Sequence, residues 1–294
     1  MSDLIRMPEQ VIALRSTYIL KGMLQRGFTT VRDTGGATKF IADALKEGLV
    51  EGPRLFQCGK AISQTGGHGD LFGPGISGGD GVGCCGGKHA AYGRTADGVP
   101  ACLKAVREEL KSGADFIKIM VGGGVSSETD AIDTVQYTAE EIKAITTTAW
   151  QMGKKMVSHP SSTLTIVYRT CIHCRGDQPC YRQRSQRDRA WKSAGSGDCR
   201  QVCIGPIIID SRMAKEGIYL TPTLSCYGIM LRKPFETFLN PDCRDKSVEV
   251  MQDGLNALKM ANDAGVTICY GSDLLISMQA CQTGKSCPQR RIAR

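Results

Sequence analysis

Apolar positions along the chain recur with two spacings, and these alternate. Pro8 to Arg26 predicts a helix, with proline near its start and Ile12, Ile19, Leu20 and Met23 on one face. Thr29 to Asp33 predicts a short strand ending at Gly35-Gly36, Phe40 to Leu49 a helix, and Arg54 to Cys58 the next strand. A glycine-rich loop from Lys60 to Thr95 follows, and loops of that length in compact domains carry function or lack order. Asp97 to Lys111 resumes a helix. Asp115 to Val121 is a strand apolar on both faces, the pattern of a parallel sheet covered on both sides. Thr138-Ala139-Glu140-Glu141 forms a capping box that opens a helix running to Met152, and Lys155 to His159 is another strand. Further on, Met213 to Gly217 closes a short helix and Ile218 to Thr221 is a strand. Val248 to Ala264 is a helix with Met251, Leu255 and Leu258 on one face. Val266 to Tyr270 is the last strand, ending at Gly271-Ser272-Asp273. Helices alternating with strands predict an α/β fold, either a TIM-type barrel or an open doubly wound sheet.

Two stretches break the rhythm. Residues 161–202 have no βα period and are rich in Arg, Cys, Gln and Ser, and the tail from Cys281 to Arg294 has the same character. These segments also hold the charge. The chain carries +8 overall, yet 161–203 alone has eight Lys/Arg against three Asp, and the tail has four cations and no acid. The remainder is near neutral, so a nucleic-acid partner is not predicted. Cys171, His173, Cys174 and Cys180 suggest a zinc knuckle among the arginines, but a second ligand pair at the usual distance is missing.

With 294 residues and 41% hydrophobic content, the chain can bury a sizeable core. No apolar run reaches the length of a membrane span and the start carries no signal-peptide pattern, so the expectation is a cytoplasmic protein without a membrane partner. Fourteen scattered cysteines in such a chain are expected to be mostly free thiols.

The candidate chemistry begins at Lys118, in the middle of a two-sided apolar strand. A buried ammonium is costly unless paired, neutralised or chemically changed. One reading is a lysine whose stem packs while its head snorkels out; the other is a lysine carboxylated into a metal-bridging carbamate. His159 and Asp273 also stand at strand ends, where a barrel gathers catalytic groups. Taken singly, His159 reads equally well as a satisfied histidine before Pro160, and Asp273 as a helix N-cap. A GxGxxG after the first strand is missing, and Gly122-Gly123-Gly124 lacks the Lys and Ser/Thr of a P-loop.

Thr29-Thr30-Val31-Arg32-Asp33, Glu51-Gly52-Pro53-Arg54, Ser63 to Asp70 (Ser-Gln-Thr-Gly-Gly-His-Gly-Asp), Lys118 in its Ile-Lys-Ile-Met setting, Thr221-Pro222-Thr223-Leu224 and Gly271-Ser272-Asp273 together resemble the metal-dependent amidohydrolases. The resembling branch is that of imidazolonepropionase-like proteins, aminoacyl-dipeptidases and ochratoxin-cleaving amidases, and it covers roughly residues 9–159 and 206–280. It implies a (β/α)₈ barrel with two divalent ions, usually zinc, that hydrolyses amide or peptide-type C–N bonds of a small amide or dipeptide-like substrate. By that resemblance Lys118, His159 and Asp273 are metal ligands, Asp273 is also the general base, and His68 is a substrate-pocket residue. Self-association into a homo-oligomer stays open.

The same resemblance exposes departures. The chain opens where the helix after strand one is expected, and none of its four histidines (His68, His89, His159, His173) forms the family's His-x-His pair. The strand-six histidine position falls at Gly205. The expectation is therefore an incomplete TIM barrel lacking strand 1 and disrupted at strand 6. It occupies 1–280, with 161–205 as an irregular insert or frame-shifted segment and 281–294 as a tail. Either an impaired hydrolase or a catalytically inactive remnant that binds weakly is compatible with this. Loss of pattern, recovery near Asp210 and loss again is what an out-of-frame or unspliced coding segment produces. Sequencing the transcript is expected to find a different reading for 161–202; a transcript encoding that segment as written would refute this origin.

Overall fold

The computed structural model describes residues 8–70, 92–127, 130–159, 165–168, 202–204, 207–209, 211–215 and 217–283. It opens with a βαβ unit. Helix α1 (Glu9–Gln25) leads into β1 (Thr30–Asp33), α2 (Lys39–Lys46) crosses over, and β2 (Arg54–Gln57) returns parallel to β1, with Thr30 opposite Arg54 and Asp33 opposite Gln57. Leu20, Ala37, Ile41 and Leu55 close the core between these elements.

Next come β3 (Ala61–Ser63) and β4 (Gly93–Thr95), paired in parallel at the two ends of what the sequence pattern reads as one loop. Three-residue strands carry too few positions to display a period. They are followed by α3 (Gly98–Lys111), β5 (Phe116–Met120), α4 (Ala139–Gln151) and β6 (Lys155–His159). All five residues of β5 are buried, and the strand runs parallel to β6, from Phe116 opposite Lys155 to Met120 opposite His159. Ile117 and Ile119 join Ile62, Val106, Ile145 and Met156 in a core formed between the sheet and helices α3 and α4. Each such side chain stabilises by roughly 1.5–3 kcal/mol when fully buried, enough for this layer to carry one costly lysine in the same strand.

Beyond β6 the sheet departs from a simple βα repeat. Strand β7 (Thr165–Tyr168) lies in the segment where the pattern predicts no element, and it inserts antiparallel between β6 and β10 (Ile218–Thr221). The stretch expected to supply strand six instead forms a separate antiparallel pair, β8 (Val202–Ile204) with β9 (Ile207–Ile209), ahead of α5 (Ser211–Lys215). Then α6 (Leu224–Met230) and α7 (Pro241–Asp263) lead to β11 (Thr267–Ile268), parallel to β10, and a 3₁₀ turn at Ile276–Cys281. The large sheet has the order β11-β10-β7-β6-β5-β3-β4, parallel throughout except on both sides of β7.

Helix α7 begins at Pro241 rather than Val248. Asn240 accepts a bond from the Cys243 amide at 2.8 Å and proline occupies the first helical position, while the charged first turns hide the apolar period. No helix among the described residues is long and apolar enough to cross a membrane. Cys58, Cys102, Cys226, Cys243, Cys269 and Cys281 are thiols rather than disulfides.

The predicted capping box is formed in full. Thr138 Oγ1 accepts from the Glu141 amide at 3.3 Å, and Glu141 Oε2 accepts from the Thr138 amide at 2.7 Å. The other Glu141 oxygen accepts from the Gly98 amide at 2.6 Å, so one carboxylate ties the starts of α3 and α4 together. Thr138→Ala is expected to cost about 1 kcal/mol in a chemical-denaturation experiment. A loss within error of zero would show that tertiary packing, not the cap, fixes the start of α4.

Candidate active site

Lys118 is the centre of β5, with only 2% of its surface exposed, and its Nζ has no hydrogen-bond partner. Snorkelling is therefore excluded: the amine stays inside with the stem. Burial pushes its pKa down to about 7; Asp273 and the Cys58 thiol pull it back up, and Arg32 pushes it further down. Near neutral pH the amine is thus neutral in a large share of molecules, which makes it nucleophilic.

Asp273 follows β11 and comes from the far edge of the same sheet, yet it acts electrostatically on Lys118. It holds a left-handed backbone, φ 48°, a conformation that non-glycine residues adopt mainly where the surroundings impose it. The turn before it is tight: a Cβ on Gly271 would stand 2.2 Å from Thr221 Cγ2, so only glycine fits there. Ser225 Oγ donates to the Ser272 carbonyl and Gln282 Nε2 to Ser272 Oγ, each at 3.2 Å, which pins the turn. The Asp273 side chain keeps solvent-accessible surface but is hemmed in by protein. This desolvation pushes its carboxyl above the ordinary range, while Lys118 and His68 draw it down.

Asp33, at the end of β1, is a site residue that the motif contained and the sequence reading did not single out. Its Oδ1 accepts from the Gly35 and Ala37 amides, both at 3.0 Å. Burial nevertheless raises its pKa to about 6, against those amides and with a further push from Asp273. Its position at a strand's C-terminal end, like that of Asp273, was the available signal. Neighbouring Arg32 reaches from the β1–β2 pair to the large sheet, its guanidinium 5.9 Å from the centre of the Phe116 ring and its Nη2 donating to Thr221 Oγ1 at 3.4 Å. The Cys58 thiol is fully buried beside Lys118 and is held protonated by that burial.

His68 stands on the loop after β3, half-buried, with its backbone amide donating to Gln136 Oε1 at 3.0 Å. Its ring lies directly against Gly124, where a Cβ would fall 1.8 Å from Nδ1. That contact explains one glycine of the Gly122-Gly123-Gly124 run after β5. Burial pushes the imidazole pKa down; Asp130 and Asp273 oppose this, while Lys118 and Lys246 add to it. His68, Lys118 and Asp273 therefore share one electrostatic environment. His159 closes β6 opposite Met120, two residues beyond Lys118 on the adjacent strand, and its side chain lies outside the described residues. Among the described residues no three His, Cys, Asp or Glu side chains converge on one point. An ion held here would draw on Lys118 as a carbamate together with Asp273 and His159, and the orphaned, partly neutral Lys118 amine suits that role.

A model of the amidohydrolase family matches residues 1–288. Ochratoxinase of Aspergillus niger is 29% identical over 257 residues, covering 85% of this chain and 48% of that protein. A crystal structure of a prolidase complexed with N-methylphosphonate-L-proline superposes with a TM-score of 0.75 at 35% identity, over 96% of this chain and 63% of that one. A structure described as an amidohydrolase gives 0.74 at 34%, over 95% and 62%. The chain thus spans about half the length of the curated relatives it matches and under two thirds of these solved ones.

Burial of Lys118 has a thermodynamic signature. The folded pKa lies below the unfolded value, so the unfolded chain binds more protons between about pH 7 and 10.5 and stability rises with pH across that window. Below it the penalty is fully present. Metal-free protein is expected to gain stability from pH 7 to 10 with a slope of up to ~1.4 kcal/mol per pH unit from this group. Lys118→Met should remove that slope and raise stability at pH 7; a variant that keeps the slope would place the titration elsewhere.

Proposed function

The chain belongs to the amidohydrolase family, and we propose that it hydrolyses amide or peptide-type C–N bonds in small N-acyl amino acids or dipeptides. The observation that carries this reading is the buried, unpartnered Lys118 amine beside Asp273. A neutral lysine amine adds to carbon dioxide, forming an N–C bond and releasing one proton, and the product is an anion well matched to a divalent ion. Lys118 in that form, with His159 and Asp273, would hold the ion, zinc by the family resemblance. When bound, such an ion polarises the carbonyl and acidifies water.

The remaining steps belong to the chain's own residues. Asp273, its carboxyl raised by desolvation, is suited to take a proton from water as the new C–O bond forms at the carbonyl carbon. It returns that proton to the nitrogen as the C–N bond breaks. His68, held against Gly124 and acting electrostatically on Asp273, would contact the substrate beside the scissile bond. The tightness of the Gly271 turn keeps the Asp273 carboxylate in one place during this exchange.

A second reading, a non-catalytic family member that binds a ligand or one ion weakly, draws support from the donor shortfall. None of the four histidines forms a His-x-His pair, and no three-residue donor cluster occurs among the described residues. Purified protein incubated with zinc and bicarbonate separates the two. Hydrolysis of N-acyl amino acids or dipeptides is expected, with Asp273→Asn lowering kcat/KM by about 10²–10⁴. Folded protein that retains no zinc and cleaves none of these substrates would instead establish the second reading.

A further inference from the structure

The loop after β5 surrounds His68 with a set of polar groups whose donor and acceptor roles can be assigned one by one. His68 Nδ1 is 2.9 Å from Ser127 Oγ. Ser127 Oγ also meets Asp130 Oδ1 in a short hydrogen bond and lies 3.3 Å from the Gly124 carbonyl. The second Asp130 oxygen accepts from the Gly124 amide at 3.1 Å and from Gln136 Nε2 at 2.8 Å. Gln136 Oε1 in turn accepts from the His68 amide at 3.0 Å.

A backbone N–H can only donate, so the amide oxygen of Gln136 faces His68 and its NH₂ faces Asp130. Asp130 then receives donors on one oxygen and a hydroxyl on the other, the arrangement of an ionised carboxylate. Among the described residues the remaining neighbours of Ser127 Oγ are a carboxylate and a carbonyl, and neither can donate. Ser127 has one proton, and it goes to one of these. Its lone pair is left to accept from His68, which requires the imidazole proton on Nδ1. The ring closes without a conflict.

We propose that Ser127, Asp130 and Gln136 form a positioning relay that locks His68 in the Nδ1–H tautomer, making Nε2 a lone-pair base rather than a hydrogen-bond donor. The loop that carries the relay is itself anchored, because Lys246 Nζ on α7 donates to the Ser127 carbonyl at 3.1 Å and to the Asp130 carbonyl at 2.8 Å. Burial of the imidazole favours its neutral form, in which the choice between tautomers has chemical meaning. The ring packs directly on Gly124, where an added Cβ would fall 1.8 Å from Nδ1, so a side chain at that position would displace it from Ser127. The tautomer follows from the relay alone. What Nε2 accepts from in the substrate pocket rests on the proposed function.

The four histidines of the chain make the test direct. Full-length protein labelled with ¹⁵N-histidine is examined by NMR at pH 8, with the His68 signals identified by their loss in His68→Asn. Nδ1 is expected to show the protonated, pyrrole-type resonance and Nε2 the unprotonated one. Ser127→Ala should move the proton to Nε2, the form a free imidazole prefers, while Ser127→Thr keeps the wild-type pattern. A proton on Nε2 in the wild type, alone or on both nitrogens, overturns the proposal. So does a folded Ser127→Ala protein with the wild-type signature. Because the readout needs no turnover, a chain that proves inactive still decides the relay, and an active chain with the other tautomer sinks the relay while sparing the hydrolase.

Discussion

An unpaired amine at the centre of a strand covered on both sides is the constraint around which this molecule is arranged. Lys118 cannot reach water, and nothing donates to it or accepts from it among its described neighbours. The strand that carries it survives because Ile117 and Ile119 bury completely alongside. The cost is moderated by charge from Asp273, which is itself under strain and partly desolvated. Local sacrifices of this kind cluster where a structure holds reactive groups ready. A chain that needed β5 only for packing would be more stable with an apolar residue at position 118.

Around Lys118 the chain gathers charged and polar groups contributed by separate elements. Asp33 comes from β1, His68 from the loop after β3, Asp130 from the loop after β5, and Asp273 from the end of β11. The β1–β2 unit packs in one apolar layer and β3 and β5 in another, so the polar groups these elements carry are positioned without contributing to those cores. That division lets the site tolerate two carboxylates and a lysine whose protonation states are all displaced from their usual ranges. The folding energy lies in the isoleucines and the reactivity lies above them.

Much of this was legible in the residues. β5 follows from a two-sided apolar run and β6 and β10 from shorter apolar runs, and the start of α4 follows from a capping box whose two bonds are both present. Lys118 stood out because a charge interrupts one of those runs. Other features were hidden for physical reasons. β3 and β4 are too short to show alternation, and the buried face of α7's opening turns is made by Cys243 and Ser247 among charged neighbours, with no large apolar residue to mark it. The Ser127–Asp130–Gln136 relay could not be read at all. Its members are ordinary loop residues whose meaning depends on a histidine about sixty positions earlier, brought close only by the adjacency of β3 and β5. Asp33 was an intermediate case: the strand end was legible, but the desolvation that makes it unusual was not.

Strand β7 has a polarity opposite to that of its neighbours, and this reverses what its slot in the sheet can deliver. In parallel strands the final residue arrives at the face where Asp273 and the end of β10 lie. In β7 it is Thr165, the first residue, that sits level with Thr221, while Tyr168 sits level with Ile218 at the other rim. A side chain grafted at the end of β7 would stand level with Ile218, at the rim opposite the end of β10. To restore a donor from this slot, an engineer would have to place it ahead of the strand, and so build the active face from a chain running the wrong way.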